Sequence, residues 1–142
     1  MKTVKQLLAG KSSQLHSIRP DAKVIEALQL MAQKDIGALV VMEGGRLVGI
    51  LSERDYARKV ILHGRSSSDV AVSDIMTSQV VTVDPARTVP ECMALITQRR
   101  IRHLPVCEGD QVVGIVLIGD LVKEVIAEQE QTIKQLESYI HS

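Results

Sequence analysis

Two stretches of the chain carry apolar residues at three- and four-residue spacing. Val24, Ala27, Leu28 and Met31 form one stripe, and Val89, Met93 and Ile96 the other. That period predicts two helices, each with one buried face. Glu26 and Glu91 fall in their first turns, where the helix dipole favours acid. Each helix precedes two apolar runs joined by a short glycine-containing link. The runs are 38–42 and 47–51 around Gly44-Gly45, then 104–107 and 112–117 around Gly109-Asp110. Runs linked in this way predict β-hairpins. Ahead of each helix, Ser17-Ile18 and Thr82-Val83 predict short extended pieces stopped by Pro20 and Pro85. A further helix is expected after each hairpin, over 53–62 and from 120 to near 140. Residues 4–8 and 72–76 read as short helical turns, and the serine-rich 64–69 as an exposed crossing.

The two halves are one pattern written twice. A shift of 65 residues, without a gap, places Pro20 on Pro85, Val24 on Val89, Glu26 on Glu91 and Leu30 on Leu95. It continues with Ile36 on Ile101, Leu39 on Leu104 and Val41 on Val106. It closes with Val48-Gly49-Ile50 on Val113-Gly114-Ile115 and Asp55 on Asp120. The chain is a duplication of a β-α-β-β-α unit. A unit of about 60 residues buries too little surface to stand alone. The expected fold is therefore α+β, with two units packed sheet to sheet around a pseudo-twofold axis. The expected boundaries are 4–63 and 72–126, with a helical extension over 127–142.

Composition narrows the picture. The chain has neither Trp nor Phe, and its only aromatic residues are Tyr56 and Tyr139. The core must be aliphatic, and stacking platforms for single-stranded nucleic acid are disfavoured. Lysine plus arginine, 17, equals aspartate plus glutamate, 17, so no net field draws the chain to DNA or to an acidic membrane. No apolar run reaches membrane-spanning length, and Met1-Lys2-Thr3 opens no signal-peptide pattern. A cytoplasmic protein is expected. Cys92 and Cys107 lack metal-ligand spacing and are expected to be reduced thiols in apolar surroundings.

The ordered runs Ser17-Ile-Arg-Pro-Asp-Ala, Ile36-Gly-Ala-Leu-Val-Val and Leu47-Val-Gly-Ile-Leu-Ser-Glu-Arg-Asp55 resemble a cystathionine-β-synthase (CBS) domain. So do Val72-Ser-Asp-Ile-Met-Thr, Arg102-His-Leu-Pro-Val and Val112-Val-Gly-Ile-Val-Leu-Ile-Gly-Asp120. The chain most resembles the stand-alone bacterial proteins built from one CBS pair. The resemblance implies a sensor that holds an adenosine-containing ligand in clefts between the copies and acts on another protein in trans. AMP, ADP, ATP and NAD are the expected ligands, ahead of S-adenosylmethionine. The family pattern of Ser or Thr, two residues, then Asp is met by Ser52 and Asp55. In the second copy Leu117 stands where the hydroxyl belongs, although Asp120 is kept.

The resemblance implies two clefts. One would use Ile118, Gly119, Asp120, Arg102 and His103, with Gly37, Ala38, Leu39, His16, Ser17 and Ile18 closing over adenine. The other would use Ser52, Arg54 and Asp55, with Thr82, Val83 and the Arg102-His103-Leu104 segment opposite. The chemistry is reasonable. An ionised Asp accepts two hydrogen bonds side by side, as adjacent ribose hydroxyls require. Unpaired N–H groups at a helix start favour an anion nearby. The same position also suits a plain helix cap. Arg102 can fork to a phosphate and His103 can add a donor, or both can be a solvated basic helix end after Arg99 and Arg100. No catalytic set or metal cluster emerges, since His16, His63, His103 and His141 are scattered, so no enzyme is expected.

The apolar positions Val122, Val125, Ile126, Ile133, Leu136 and Ile140 run past what one CBS unit needs. A homodimer contact is the expectation, and folding back on the chain's own body the alternative. For function, the alternative is a structural or dimerisation protein of the same fold that binds no ligand.

Overall fold

The computed structural model describes residues 2–11 and 15–141. In chain order the elements are α1 (Val4–Ala9), β1 (Ser17–Ile18), α2 (Val24–Lys34), β2 (Ala38–Glu43), β3 (Arg46–Ser52) and α3 (Glu53–Tyr56). Then follow α4 (Val72–Ile75), α5 (Val89–Arg99), β4 (His103–Glu108), β5 (Gln111–Leu117) and α6 (Ile118–His141). Both predicted hairpins form. Gly44 and Gly45 at φ 58° and 79° make the first tight turn, and Gly109 at φ 59° opens the second. Even the irregularities repeat: the antiparallel register slips between Val41 and Met42 and again between Val106 and Cys107. The helices α2 and α5 each end on a left-handed residue that is not glycine, Asp35 at φ 53° and Arg100 at φ 54°.

Two expectations need correction. Thr82-Val83 does not form a strand like β1. Only Val83 pairs, donating to the Pro105 carbonyl at 3.1 Å and accepting from the Cys107 N–H at 2.9 Å. Pro105 stands where the first copy has Val40 and has no N–H for this ladder. The sheets are accordingly β1-β2-β3 and β4-β5. The helix over 53–62 is also not α throughout. It opens into a π turn over Ala57–Ile61, with Leu62 N–H bonded to Ala57 O at 3.2 Å, and Val60 is fully buried there.

The copies are bound together by exchanged connectors. The N-terminal helix α1 packs on the second copy: Val4 belongs to the core of Val89, Cys92, Ile96, Leu104, Val106, Val116 and Leu121. Its backbone is tied there by Val4 N–H to Arg87 O at 2.8 Å and Val89 N–H to Lys2 O at 3.0 Å. The connector helix α4 packs on the first copy, with Val70, Val72 and Ile75 in the core of Val24, Ala27, Met31, Leu39 and Leu51. Matching bonds run from Val24 N–H to Val70 O at 2.9 Å and from Val72 N–H to Ala22 O at 2.8 Å. The paired glycines Gly49 and Gly114 allow this approach. A Cβ on Gly49 would lie 2.5 Å from Met76 Sδ, and one on Gly114 2.8 Å from Leu8 Cδ2. The two sheets touch through β3 and β5, and the last residues of these strands, Ser52 and Leu117, line one cleft. Cys92 is buried and Cys107 half-buried, both as free thiols.

Candidate functional site

Where β3 gives way to α3 and β5 to α6, the surface opens into a cleft of about 740 Å³. Asp55 and Asp120 both line it, on matched turns. At the first, Ser52 and Asp55 lock the strand-to-helix turn. Asp55 Oδ2 accepts from Ser52 N–H at 2.9 Å and Ser52 Oγ–H at 3.0 Å, and Asp55 N–H donates back to Ser52 Oγ at 3.2 Å. Lys59 Nζ stands 3.5 Å from Asp55 Oδ1. Asp55 is therefore not itself the N-cap: Ser52 caps α3, and Asp55 completes the capping box from the third helical position, which fixes its carboxylate at the cleft wall.

The second turn is built with a substitute. Asp120 Oδ2 accepts from Leu117 N–H at 3.0 Å, as Asp55 does from Ser52 N–H. Leu117 has no hydroxyl to add. Lys11, reaching across from the N-terminal segment, donates to Asp120 Oδ2 at 2.8 Å and to Ile115 O at 3.1 Å. Lys11 escapes a sequence reading because it lies ahead of the aligned repeat. The missing hydroxyl at Leu117 was the one signal that Asp120 needed another partner.

Of the residues singled out in sequence, Gly37, Ser52, Arg54, Asp55, Arg102, His103, Ile118, Gly119 and Asp120 line this one continuous cleft. The others do not line it. Ser17 and Ile18 form β1, with His16 just before it. Ala38 and Leu39 are buried in β2, Leu104 in β4, and Val83 in the second core, with Thr82 exposed beside it. The cleft also recruits residues that sequence reasoning passed over. Arg58 and Lys123 occupy matched positions 65 apart, three residues beyond each Asp, Arg58 in the π turn after α3 and Lys123 in α6. Thr77, Gln79, Val80 and Val81, from the segment after α4, line it as well. Arg100, held left-handed at the end of α5, joins them.

The charges are arranged unevenly. Arg54, Arg58, Arg100, Arg102 and Lys123 face Glu53, Asp55 and Asp120 around the opening. Glu53 lies over Gly37, where an added Cβ would stand 3.5 Å from its Oε1. His103 is half-buried in the cleft wall. Burial pushes its pKa below the usual 6.5 and the Arg102 guanidinium pushes it further; Asp55 opposes the shift and Lys11 adds to it. The folded state thus binds fewer protons at His103 than the unfolded chain does. The stability that His103 contributes is intact above pH about 6.5 and falls as pH drops through that value. Denaturant midpoints between pH 7.5 and 5 should fall more steeply for the parent than for His103→Gln. Equal slopes would show that the imidazole is not held neutral by the fold.

Among the described residues no helix is long and apolar enough to cross a membrane, and no group of three or more His, Cys, Asp or Glu side chains could hold a metal ion. The CBS domain family model matches the chain twice, over residues 4–62 and 72–127. A solved CBS-domain protein of Burkholderia ambifaria is 47% identical, with a TM-score of 0.86, over 90% of this chain and 96% of that one. A mitochondrial CBS domain-containing protein of Arabidopsis thaliana is 43% identical over 125 residues, which is 84% of this chain. The match spans 61% of that relative's length. The CBS domain pair of a protein solved with 5′-methylthioadenosine and S-adenosyl-L-methionine shares the fold, at 23% identity and a TM-score of 0.80.

Proposed function

The chain belongs to the CBS-domain family, and from that premise we propose that it is a regulatory module holding a phosphorylated adenosine ligand in the cleft between its two copies. The observation that carries this reading is the matched placement of a carboxylate and, three residues on, a cation in one cleft, Asp55 and Arg58 after β3 and Asp120 and Lys123 after β5. A carboxylate takes a ribose diol, and the neighbouring guanidinium or ammonium takes phosphate. Ile50, Ile101 and Ile118 offer apolar walls for a base. The solved pair that holds two adenosine derivatives supports the ligand class. Five basic side chains against three acidic ones at the opening favour AMP, ADP, ATP or NAD over the cationic S-adenosylmethionine. The module would form a homodimer and pass its state to a separate protein.

A second reading has one observation behind it. Asp120 is already engaged by Lys11, and Leu117 offers no hydroxyl, so a structural protein of this fold could keep the turn without using it. Thermal unfolding with AMP, ADP, ATP, NAD, S-adenosylmethionine and GMP separates the two. A ligand at 100 times its Kd stabilises the fold by about 2.7 kcal/mol, so the adenine nucleotides should raise Tm and GMP should not. No shift with any of them at millimolar concentration would favour the structural reading.

A further inference from the structure

The last helix outruns the body it packs on. Leu121 is buried and Val125 half-buried against the second core, whereas residues 129–141 are exposed throughout. Helical segments this short draw most of their stability from tertiary packing. Yet Val122, Ile126, Ile133, Leu136 and Ile140 are 39% to 73% exposed. With Gln129 they recur at alternating steps of four and three residues, through 122, 126, 129, 133, 136 and 140. That is the seam of a two-stranded coiled coil, with one polar position in each helix.

We propose that α6 pairs antiparallel with α6 of a second copy, about a twofold axis level with Gln131. The layers then match Val122 with the second copy's Ile140, Ile126 with Leu136, and Gln129 with Ile133. Charges beside the seam select this orientation. Lys123, which also lines the cleft, comes opposite the second copy's Glu137, twice by symmetry, so that Glu137 and a bound phosphate share its ammonium, while Glu130 meets its own counterpart once at the axis. A parallel pair in register would instead set Gln129 on Gln129. It would place Glu130 beside Val125 and Glu137 beside Thr132, with no opposite charge to meet either. Flanking charges of this kind set orientation in coiled coils. The pairing rests on the homodimer proposed above and adds to it the surface and the direction.

Sedimentation of the full chain and of Ile133→Asp/Leu136→Asp tests the surface. Both substitutions fall on exposed positions, so a retained cooperative unfolding transition, with helical signal lost only to the extent of the unpaired end of α6, would show that the body still folds. The variant should weaken dimerisation at least tenfold. Spin labels at Gln131→Cys and, separately, Ser138→Cys, in a Cys107→Ser background with Cys92 buried, test direction. In the antiparallel pair the labels at 138 are displaced along the axis by about 21 Å and those at 131 by none, so the 138 distance should be longer by roughly 8–10 Å. Equal distances would overturn the orientation, and a double variant that dimerises like the parent would overturn the surface. A full-length monomer at tens of micromolar would remove the homodimer itself.

Discussion

Asp120→Asn is expected to lower AMP affinity by roughly tenfold to over a hundredfold, the equivalent of one charge-assisted hydrogen bond at about 1.5–3 kcal/mol. The variant keeps the size of the side chain but loses its charge and one acceptor. It should lose little against 2′-deoxy-AMP, which presents only part of the diol. Asp55→Asn should give a loss of the same kind, and calorimetric stoichiometry would show whether both carboxylates serve bound ligands. Lys11 makes the two sides unequal. Its ammonium already holds Asp120 Oδ2 at 2.8 Å, so a ribose must share or displace it. The pair is partly exposed, and its net worth is about 0.2–1 kcal/mol. Lys11→Met should therefore tighten adenosine binding, about two- to fivefold. Arg102→Ala should leave adenosine unchanged and weaken AMP, since only the phosphate gives the guanidinium something to grip. Asp120→Asn binding AMP as tightly as the parent, with Asp55→Asn abolishing it, would place the working site in the first copy alone.

Much of this arrangement was legible because the duplication writes each element twice. The helix stripes, the hairpin turns and the strand-end aspartates all fall where their periodicity put them. What the sequence hid has specific physical causes. The exchange of α1 and α4 between the copies depends on contacts between residues such as Val4 and Val106, far apart in the chain, and no local period records them. The π turn after Tyr56 is a change in hydrogen-bond step rather than in hydrophobic pattern. Pro105 was visible, but its cost to the Val83 ladder shows only once the segments are paired. At the site, repetition was followed as far as Asp120 and stopped there. Three residues more would have paired Arg58 with Lys123. Lys11 falls on the uncharged Gln79 in the register of the two connectors, and only the fold brings it to Asp120.

The exchanged connectors also set the largest expected change in stability. Gly49→Val should lower Tm by roughly 5–10 °C, for an overpacking cost of about 2–3 kcal/mol in a chain of this size. The reason is the neighbour, not the backbone angle. A Cβ at residue 49 would meet Met76 Sδ at 2.5 Å and Thr77 O at 3.0 Å. The methionine can swing aside; the carbonyl cannot. Thr77 is pinned beside the new side chain by its N–H to Ile50 O at 2.9 Å and by Ile50 N–H to its own carbonyl at 3.0 Å. Relieving the clash means giving up these bonds and moving the connector that carries Thr77 into the cleft wall. Gly114→Val, the matched change, meets only Leu8 side-chain atoms, at 2.8 and 3.0 Å from Cβ, and should cost less. Adding Met76→Ala to Gly49→Ala separates the two clashes: it should recover part of the loss from Gly49→Ala and not all of it, because Thr77 O remains. Full recovery would assign the glycine to methionine packing alone. A Gly114→Val variant less stable than Gly49→Val would show that α1, and not the α4 connector, is the tighter of the two clasps.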